Sequence, residues 1–215
     1  MAARKKKPVK PHPLLEYVDE YVGVIGVDMS MTKTGIAIRH FDTGEIVTGR
    51  VGSGGASDDS HVDRWRRFNT LHSDFLKQMP DGAGRHVFVI EEPTYTSGGS
   101  GFDRAHAWWK MVDHAMRQGW IVLVVNNSHG KIYLVGRASG SGVNKIEKGE
   151  LLAAAIKTYN WVDIIDDNVA DAMAMCAIGC RMVGRPIEEF LPQTHLRAID
   201  GVAKANGIDV GKIPV

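Results

Sequence analysis

Three acidic residues stand where apolar patterning stops or is interrupted. Asp28 ends the run "VIGVD" (24–28), Glu91 ends "FVIE" (88–91), and Asp171 lies in "DDNVADA" (166–172), at the start of a helical pattern. Carboxylates brought together without cations repel and raise one another's pKa. A cluster of three or four is tolerable mainly when a divalent cation neutralises it, and hard oxygen ligands suit Mg2+ or Mn2+. Two such ions about 4 Å apart can activate a water and stabilise the leaving oxygen of a phosphodiester.

Each carboxylate also has a simpler reading. Asp28 could bond the backbone of the turn "MSM" that follows it, and Glu91 could be a solvated strand end beside Glu92. Asp167 could be only the N-cap of the last long helix, since Asp before a helical pattern is a common start signal. Asp171 resists that treatment. It lies four residues past Asp167, on one helical face with it, and among Val169, Ala170, Ala172 and Met173 it has no packing role.

The elements that must position these groups follow from periodicity. Residues 22–28 and 34–40 read as strands joined by the turn "MSMTKT", with a third strand at 45–51. Val62, Trp65, Phe68, His72, Phe75, Leu76 and Met79 predict an amphipathic helix capped by Ser60. Buried strands are expected at 86–93 and 120–125, and helices at about 102–118, 144–159 and 168–183, with a short one at "SHGKIYLVG". The order β-β-β-α-β-α-β-α-α implies an α/β fold with a mixed five-stranded sheet, three antiparallel strands and then parallel ones, flanked by helices. The last 30 residues add a weak helical stripe (Leu196, Ile199, Val202, Ala203). Expected boundaries are a basic flexible tail at 1–20, one domain at 21–184 and an extension at 185–215.

Composition sets limits. With 215 residues, 44% apolar and 24% charged, the chain can bury one substantial core. Of the 26 Lys and Arg, five fall within the first 13 residues, leaving 21 against 25 Asp and Glu. A basic tail on a mildly acidic body fits either a phosphate-seeking arm or a solubilising terminus. No apolar run reaches the ~20 residues of a membrane span. The N-terminus lacks the apolar middle of a secretory signal, and two cysteines in this length point to a reducing cytoplasm. Cys176 and Cys180 read as small core residues, His106 and His129 as hydrogen-bonded structural histidines, and Trp108 and Trp109 as core or dimer contacts.

At these residues the chain resembles the RuvC family of Holliday junction resolvases, within the RNase H-like (retroviral integrase) superfamily. "VIGVDMSMTKTGIAI" is similar to the family's first hairpin, "FVIEEPTY" to its fourth strand, and "DNVADAMAM" to its final helix. "NNSHGKIYLVGRASGSGVNKIEKGELL" resembles the family's helix, glycine-bearing loop and lysine before the next helix. The resemblance runs from about residue 22 to 183. It implies an RNase H-like fold and a homodimer that binds four-way or other branched DNA. It also implies symmetric nicking with Mg2+ or Mn2+, two ions per site.

Carried over, Asp28, Glu91 and Asp171 become metal ligands. The family's fourth ligand, Asp or His, falls three residues before the last Asp, where this chain has Asn168, so Asp167 is the expected substitute. Lys131, Arg137 and Lys145 flank the third glycine loop and are expected on DNA phosphates. Lys33 sits in the first turn, and Tyr95 is placed to stack on a base. The tail and the last 30 residues have no counterpart in the compact bacterial enzymes, which suggests a divergent, phage-encoded relative.

Other functions compete. The first hairpin also resembles the phosphate-binding hairpin of actin-like ATPases, but those need two such domains, and no G-x-x-x-x-G-K-[ST] loop is present. The same fold could act on RNA or on flaps and forks. A non-catalytic junction-binding protein is the third reading, supported by Asn168.

Overall fold

Short polar turns fold the first three extended runs back on one another. β1 (Tyr21–Asp28) and β2 (Thr34–His40) pair antiparallel, with Asp28 opposite Gly35, and β3 (Ile46–Val51) pairs antiparallel with β2. The structure, a computed structural model, describes residues 12–56, 58–81, 84–93, 99–140 and 142–214. Chain reversal through α2 (His61–Gln78) returns β4 (Arg85–Glu91) parallel to β1. A second crossover through α3 (Gly99–Arg117) places β5 (Ile121–Val125) parallel to β4. The five strands lie in the order β3-β2-β1-β4-β5.

This connectivity brings the C-terminal ends of β1, β4 and β5 to one margin of the sheet. The expected mixed sheet is therefore present, in the expected strand order along the chain. Ser60 caps α2 as predicted, its side chain accepting from Asp63 N.

The central strands are buried on both sides, which explains their continuous apolar runs. Ile25, Val27, Phe88 and Ile90 pack on α2 and α3 through Leu71, Phe75, Met111 and Val112. Val24, Val87 and Val89 face a second layer. That layer comprises α4 (Asn127–Val135), α5 (Lys148–Thr158), α6 (Asp167–Met182) and α7 (Gln193–Ala205). A further helix, α1 (Pro13–Glu16), precedes the sheet, and its Leu14 is fully buried. The remaining residues of the basic tail, 1–11, lie outside the described residues.

α6 is the innermost helix, with twelve of its sixteen residues buried. Its backbone lies directly on the sheet. A Cβ on Gly26 would overlap Ala172 O and Cys176 N, and one on Gly35 would overlap Asn168 O. In return, a Cβ on Gly179 of the helix would come within 2.6 Å of Val24 and Val89 side-chain carbons. Glycine in two strands and small residues along the helix thus allow a close approach that larger side chains forbid.

Several elements depart from the sequence reading, β4 among them, which ends at Glu91 rather than 93. α5 starts at Lys148 rather than 144, because Glu147 is extended (φ −80°, ψ 154°) and Ile146 turns inward, its N–H held by Ser139 Oγ at 3.0 Å. α3 starts earlier than expected, at Gly99. The C-terminal stripe is a full helix, α7, whose Ala198, Ile199, Val202 and Ala203 join the same core as α6. Asn206, just beyond α7, bonds both backbone groups of Val124 on the outer strand, accepting from N at 3.0 Å and donating to O at 2.8 Å.

Far from the strand ends, buried Glu188 ties the helical layer together. It accepts from Tyr133 Oη (2.8 Å), Arg181 Nη2 (3.0 Å) and Tyr159 Oη. Burial, with the neighbouring Glu188 charge, holds both tyrosine hydroxyls well above their ordinary pKa.

The packing of α6 predicts a sharp asymmetry among glycines. Gly26→Ala and Gly35→Ala should each lower unfolding free energy by about 1–3 kcal/mol or more, because backbone atoms must move to admit the methyl group. Gly54→Ala, with open space around it, should change stability by less than about 0.5 kcal/mol. Urea unfolding of the three variants checks this.

Candidate metal centre

Asp28, Glu91, Asp167 and Asp171 line one cavity of about 280 Å3 at the C-terminal ends of β1 and β4. The strands fix two of them: Asp28 is the last residue of β1 and Glu91 the last of β4. Helix α6 supplies the other two, one turn apart, from its N-terminal end. The loops differ in how they are held. Buried Thr34 closes the turn after Asp28, its Oγ1 accepting from Ser30 N at 3.1 Å and donating to Ser30 O at 2.5 Å. Trp108 Nε1, from α3, donates to Glu91 O at 2.8 Å.

The N-cap of α6 is Asp166, not Asp167. Its Oδ1 accepts from Val169 N at 3.0 Å, and its Oδ2 pairs with Arg50 of β3 at 2.6 Å. Burial raises the Asp166 pKa, but the Val169 N–H and the Arg50 guanidinium together hold it below the ordinary carboxylate value. Asp166 thus does the capping and anchors the helix to β3. Asp167, the first residue of α6, is left to face the cavity.

Like charge dominates the site. Among the described residues, six carboxylates (Asp28, Glu91, Glu92, Glu147, Asp167, Asp171) and three cationic side chains (Arg104, Lys131, Lys148) line the cavity. Burial, then repulsion from Asp171 and Glu91, and a side-chain hydrogen bond with Glu91, push the Asp28 carboxyl well above its usual range. Burial and the charges of Glu91 and Asp167 push Asp171 up to about 7, against the opposing pull of Lys131 and Lys148. Lys148 bonds Asp167, and that bond raises its own pKa.

The donor set fits a hard divalent cation. All four candidate ligands offer oxygen, neither Cys nor His lines the cavity, and the surplus of negative charge is what a cation would relieve. Among the described residues, no three acidic, His or Cys side chains already converge as a ligand set. Asp167 is drawn toward Lys148, and Glu91 Oε1 accepts from Asn127 Nδ2 at 2.6 Å. Coordination by these carboxylates therefore calls for side-chain rearrangement at the site, at Asp167 among them.

The residues expected on DNA are placed unevenly. Lys131 lines the cavity, and Lys33 is exposed in the turn after Asp28. Arg137 is engaged within the chain, its Nη2 on both Glu150 oxygens at 2.8 and 2.9 Å and its Nη1 on Asn144 O at 2.8 Å. Lys145 pairs with Glu147 at 3.2 Å. Tyr95 lies outside the described residues.

Sequence reasoning missed Lys148, Arg104 and Asn127. Lys148 carried a signal: it is the first residue of α5, where the helix dipole disfavours a cation. The other sequence readings resolve simply. Cys176 and Cys180 are buried in α6, and Trp108 is a buried wall of the cavity, whereas Trp109 is 56% exposed. His106 packs on Phe68 (ring centroids 4.9 Å). His129 Nδ1 is buried with no hydrogen-bond partner among the described residues, which corrects the expectation of a hydrogen-bonded ring; its imidazole instead packs against Gly201 of α7. Neither histidine lines the cavity.

Neither a protein-family model nor a curated protein sequence matches the chain. Among solved structures, RuvC from T. thermophilus in complex with a Holliday junction substrate superposes with a TM-score of 0.53 at 14% identity. That match covers 77% of this chain and 98% of the other. A second structure of Thermus thermophilus RuvC gives a TM-score of 0.49 at 16% identity, over 72% of this chain and 90% of that one. At such identity the likeness concerns architecture, and it agrees with the strand order and helix layers above: the chain has the RuvC fold, an RNase H-like α/β fold on a mixed five-stranded sheet.

Proposed function

We propose that the protein is a metal-dependent endonuclease that resolves Holliday junctions or other branched DNA by phosphodiester hydrolysis. The observation that carries this reading is that Asp28, Glu91, Asp167 and Asp171 line one cavity at the strand ends of a RuvC fold. Two Mg2+ or Mn2+ ions held there would polarise the scissile phosphate and acidify a water. The chain's own residues do the rest. β1 and β4 hold Asp28 and Glu91 against movement from behind. Lys131, Lys148 and Arg104 offset the charge of an entering phosphate. Trp108 forms an apolar wall that limits bulk water on the α3 side. Symmetric nicking of a four-way junction needs two such sites, hence two copies of the chain. Action on RNA, flaps or forks uses the same groups, and the substrate arms of the experiment below separate these. A junction-binding protein without catalysis is the remaining reading; Asn168 lines the cavity at the position that would then matter.

Labelled four-way junction, Y-fork, RNA–DNA hybrid and linear duplex, each with Mg2+ or Mn2+, form the direct test. The wild type should cut the four-way junction in preference to the linear duplex. Asp28→Asn should cut at least about 100-fold more slowly, a loss beyond that of removing a residue that only supports a ligand. Binding of the junction without cleavage in either metal would refute the nuclease reading.

The acid cluster also predicts a pH dependence. Asp171 has a folded-state pKa of about 7 against an ordinary 3.8, so in this window the folded chain holds a proton that the unfolded chain has lost. Its stabilising contribution without metal is complete below about 3.8 and is lost as pH rises through about 7. With chelator present, the unfolding temperature should therefore fall between pH 5.5 and 8, and Asp171→Asn should flatten that fall. Mn2+ should raise the unfolding temperature more at pH 8 than at pH 5.5, because proton and cation compete for the same oxygens. An equal Mn2+ effect at both pH values would count against Asp171 as a ligand.

A further inference from the structure

Glu91 is followed by a second glutamate, and the next parallel strand is followed by two asparagines. β4 and β5 are in register with Glu91 opposite Val125, and Glu92 N donates to Val125 O at 2.8 Å. The pair Asn126–Asn127 therefore emerges beside the pair Glu91–Glu92. Each amide meets one carboxylate: Asn126 Nδ2 donates to Glu92 Oε2 at 2.9 Å, and Asn127 Nδ2 donates to Glu91 Oε1 at 2.6 Å.

The orientation of the first amide is fixed by its other end. Asn126 is the N-cap of α4, and its Oδ1 accepts from Ser128 N at 3.0 Å and from Ser128 Oγ at 2.7 Å, so its nitrogen must face Glu92. Asn127 is the first residue of α4 and lines the cavity. Its partner is a carboxylate, which only accepts, so the amide nitrogen must face Glu91.

We propose that Asn127 is the positioning residue for Glu91: by holding Oε1 it keeps the carboxylate in the orientation in which it lines the cavity and can take a divalent cation. The inference rests on the metal-binding reading above and adds a residue to it. An amide suits this role because it donates without bringing charge. A lysine here would neutralise Glu91 and compete with the cation, and an acid would repel it. With Trp108 Nε1 on Glu91 O, the residue is held at main chain and side chain by donors from α3 and α4. Groups that orient a metal ligand in this way change metal affinity or activity by roughly 10–100-fold when removed.

The test measures Mn2+ binding by calorimetry on the full-length protein, without DNA, for wild type, Asn127→Leu and Asn127→Ala. Leucine keeps most of the shape and removes the donor; alanine serves if leucine does not fold. Each variant should bind Mn2+ about 10–100-fold more weakly, with an unfolding midpoint in chelator close to that of wild type. In cleavage assays the Mn2+ concentration for half-maximal rate should rise by the same factor, while KM for the junction stays fixed. Wild-type Mn2+ affinity in the folded variants would overturn the role of Asn127 and leave the metal-binding reading intact. A wild type that takes up no Mn2+ would overturn both.

Discussion

The site depends on how closely one helix can lie on one sheet. α6 rests its backbone on Gly26 and Gly35, and Gly35 is the residue paired with Asp28. Any side chain at either glycine would lift the helix and carry Asp167 and Asp171 away from Asp28. The helix reciprocates with Ala172, Gly179 and other small residues. The distance between carboxylates on two different elements is therefore set by absent side chains. Interiors packed to crystal-like density transmit small displacements rather than absorbing them, so ligand geometry at the cavity and packing beneath it form one constraint.

Around that contact the chain spends its polar groups on rigidity. Asp166 joins the α6 N-terminus to β3 through Arg50, Thr34 closes the turn after Asp28, and Trp108 holds the Glu91 carbonyl. None of these bonds uses one of the four carboxylates proposed as ligands. The four instead share one cavity, Asp167 turned to Lys148 and Glu91 to Asn127, at an electrostatic cost visible in the raised pKa values of Asp28 and Asp171. Natural sequences break local rules of charge placement mainly where function requires it. Here the breach is confined to one margin of the sheet.

Much of this was legible in the sequence because the relevant residues interrupt strong patterns. Asp28 and Glu91 end apolar runs, and Asp171 stands among Val169, Ala170, Ala172 and Met173, where an unpaired carboxylate has no packing role. The signal failed where partners are distant in sequence. Asp166 and Asp167 are chemically identical neighbours, and only Arg50, 116 residues away, shows which one is anchored. Arg137 looks like a free cation in a glycine-rich loop until Glu150 is folded onto it. Asn127 looks like an ordinary helix start, and its meeting with Glu91 exists only through the register of β4 and β5. The start of α5 moved because Ile146 finds a buried place that periodicity could not foresee.

The bonds from Asn206 to Val124 give the C-terminal helix a second duty. A single side-chain amide reproduces, at one residue, the donor and acceptor of a neighbouring strand. The outer strand of a sheet is otherwise a template on which a further chain can add. Segment 193–206 thus packs on α4 and also fills one position of the β5 edge, where the N–H and C=O of Val124 are no longer open to a further strand.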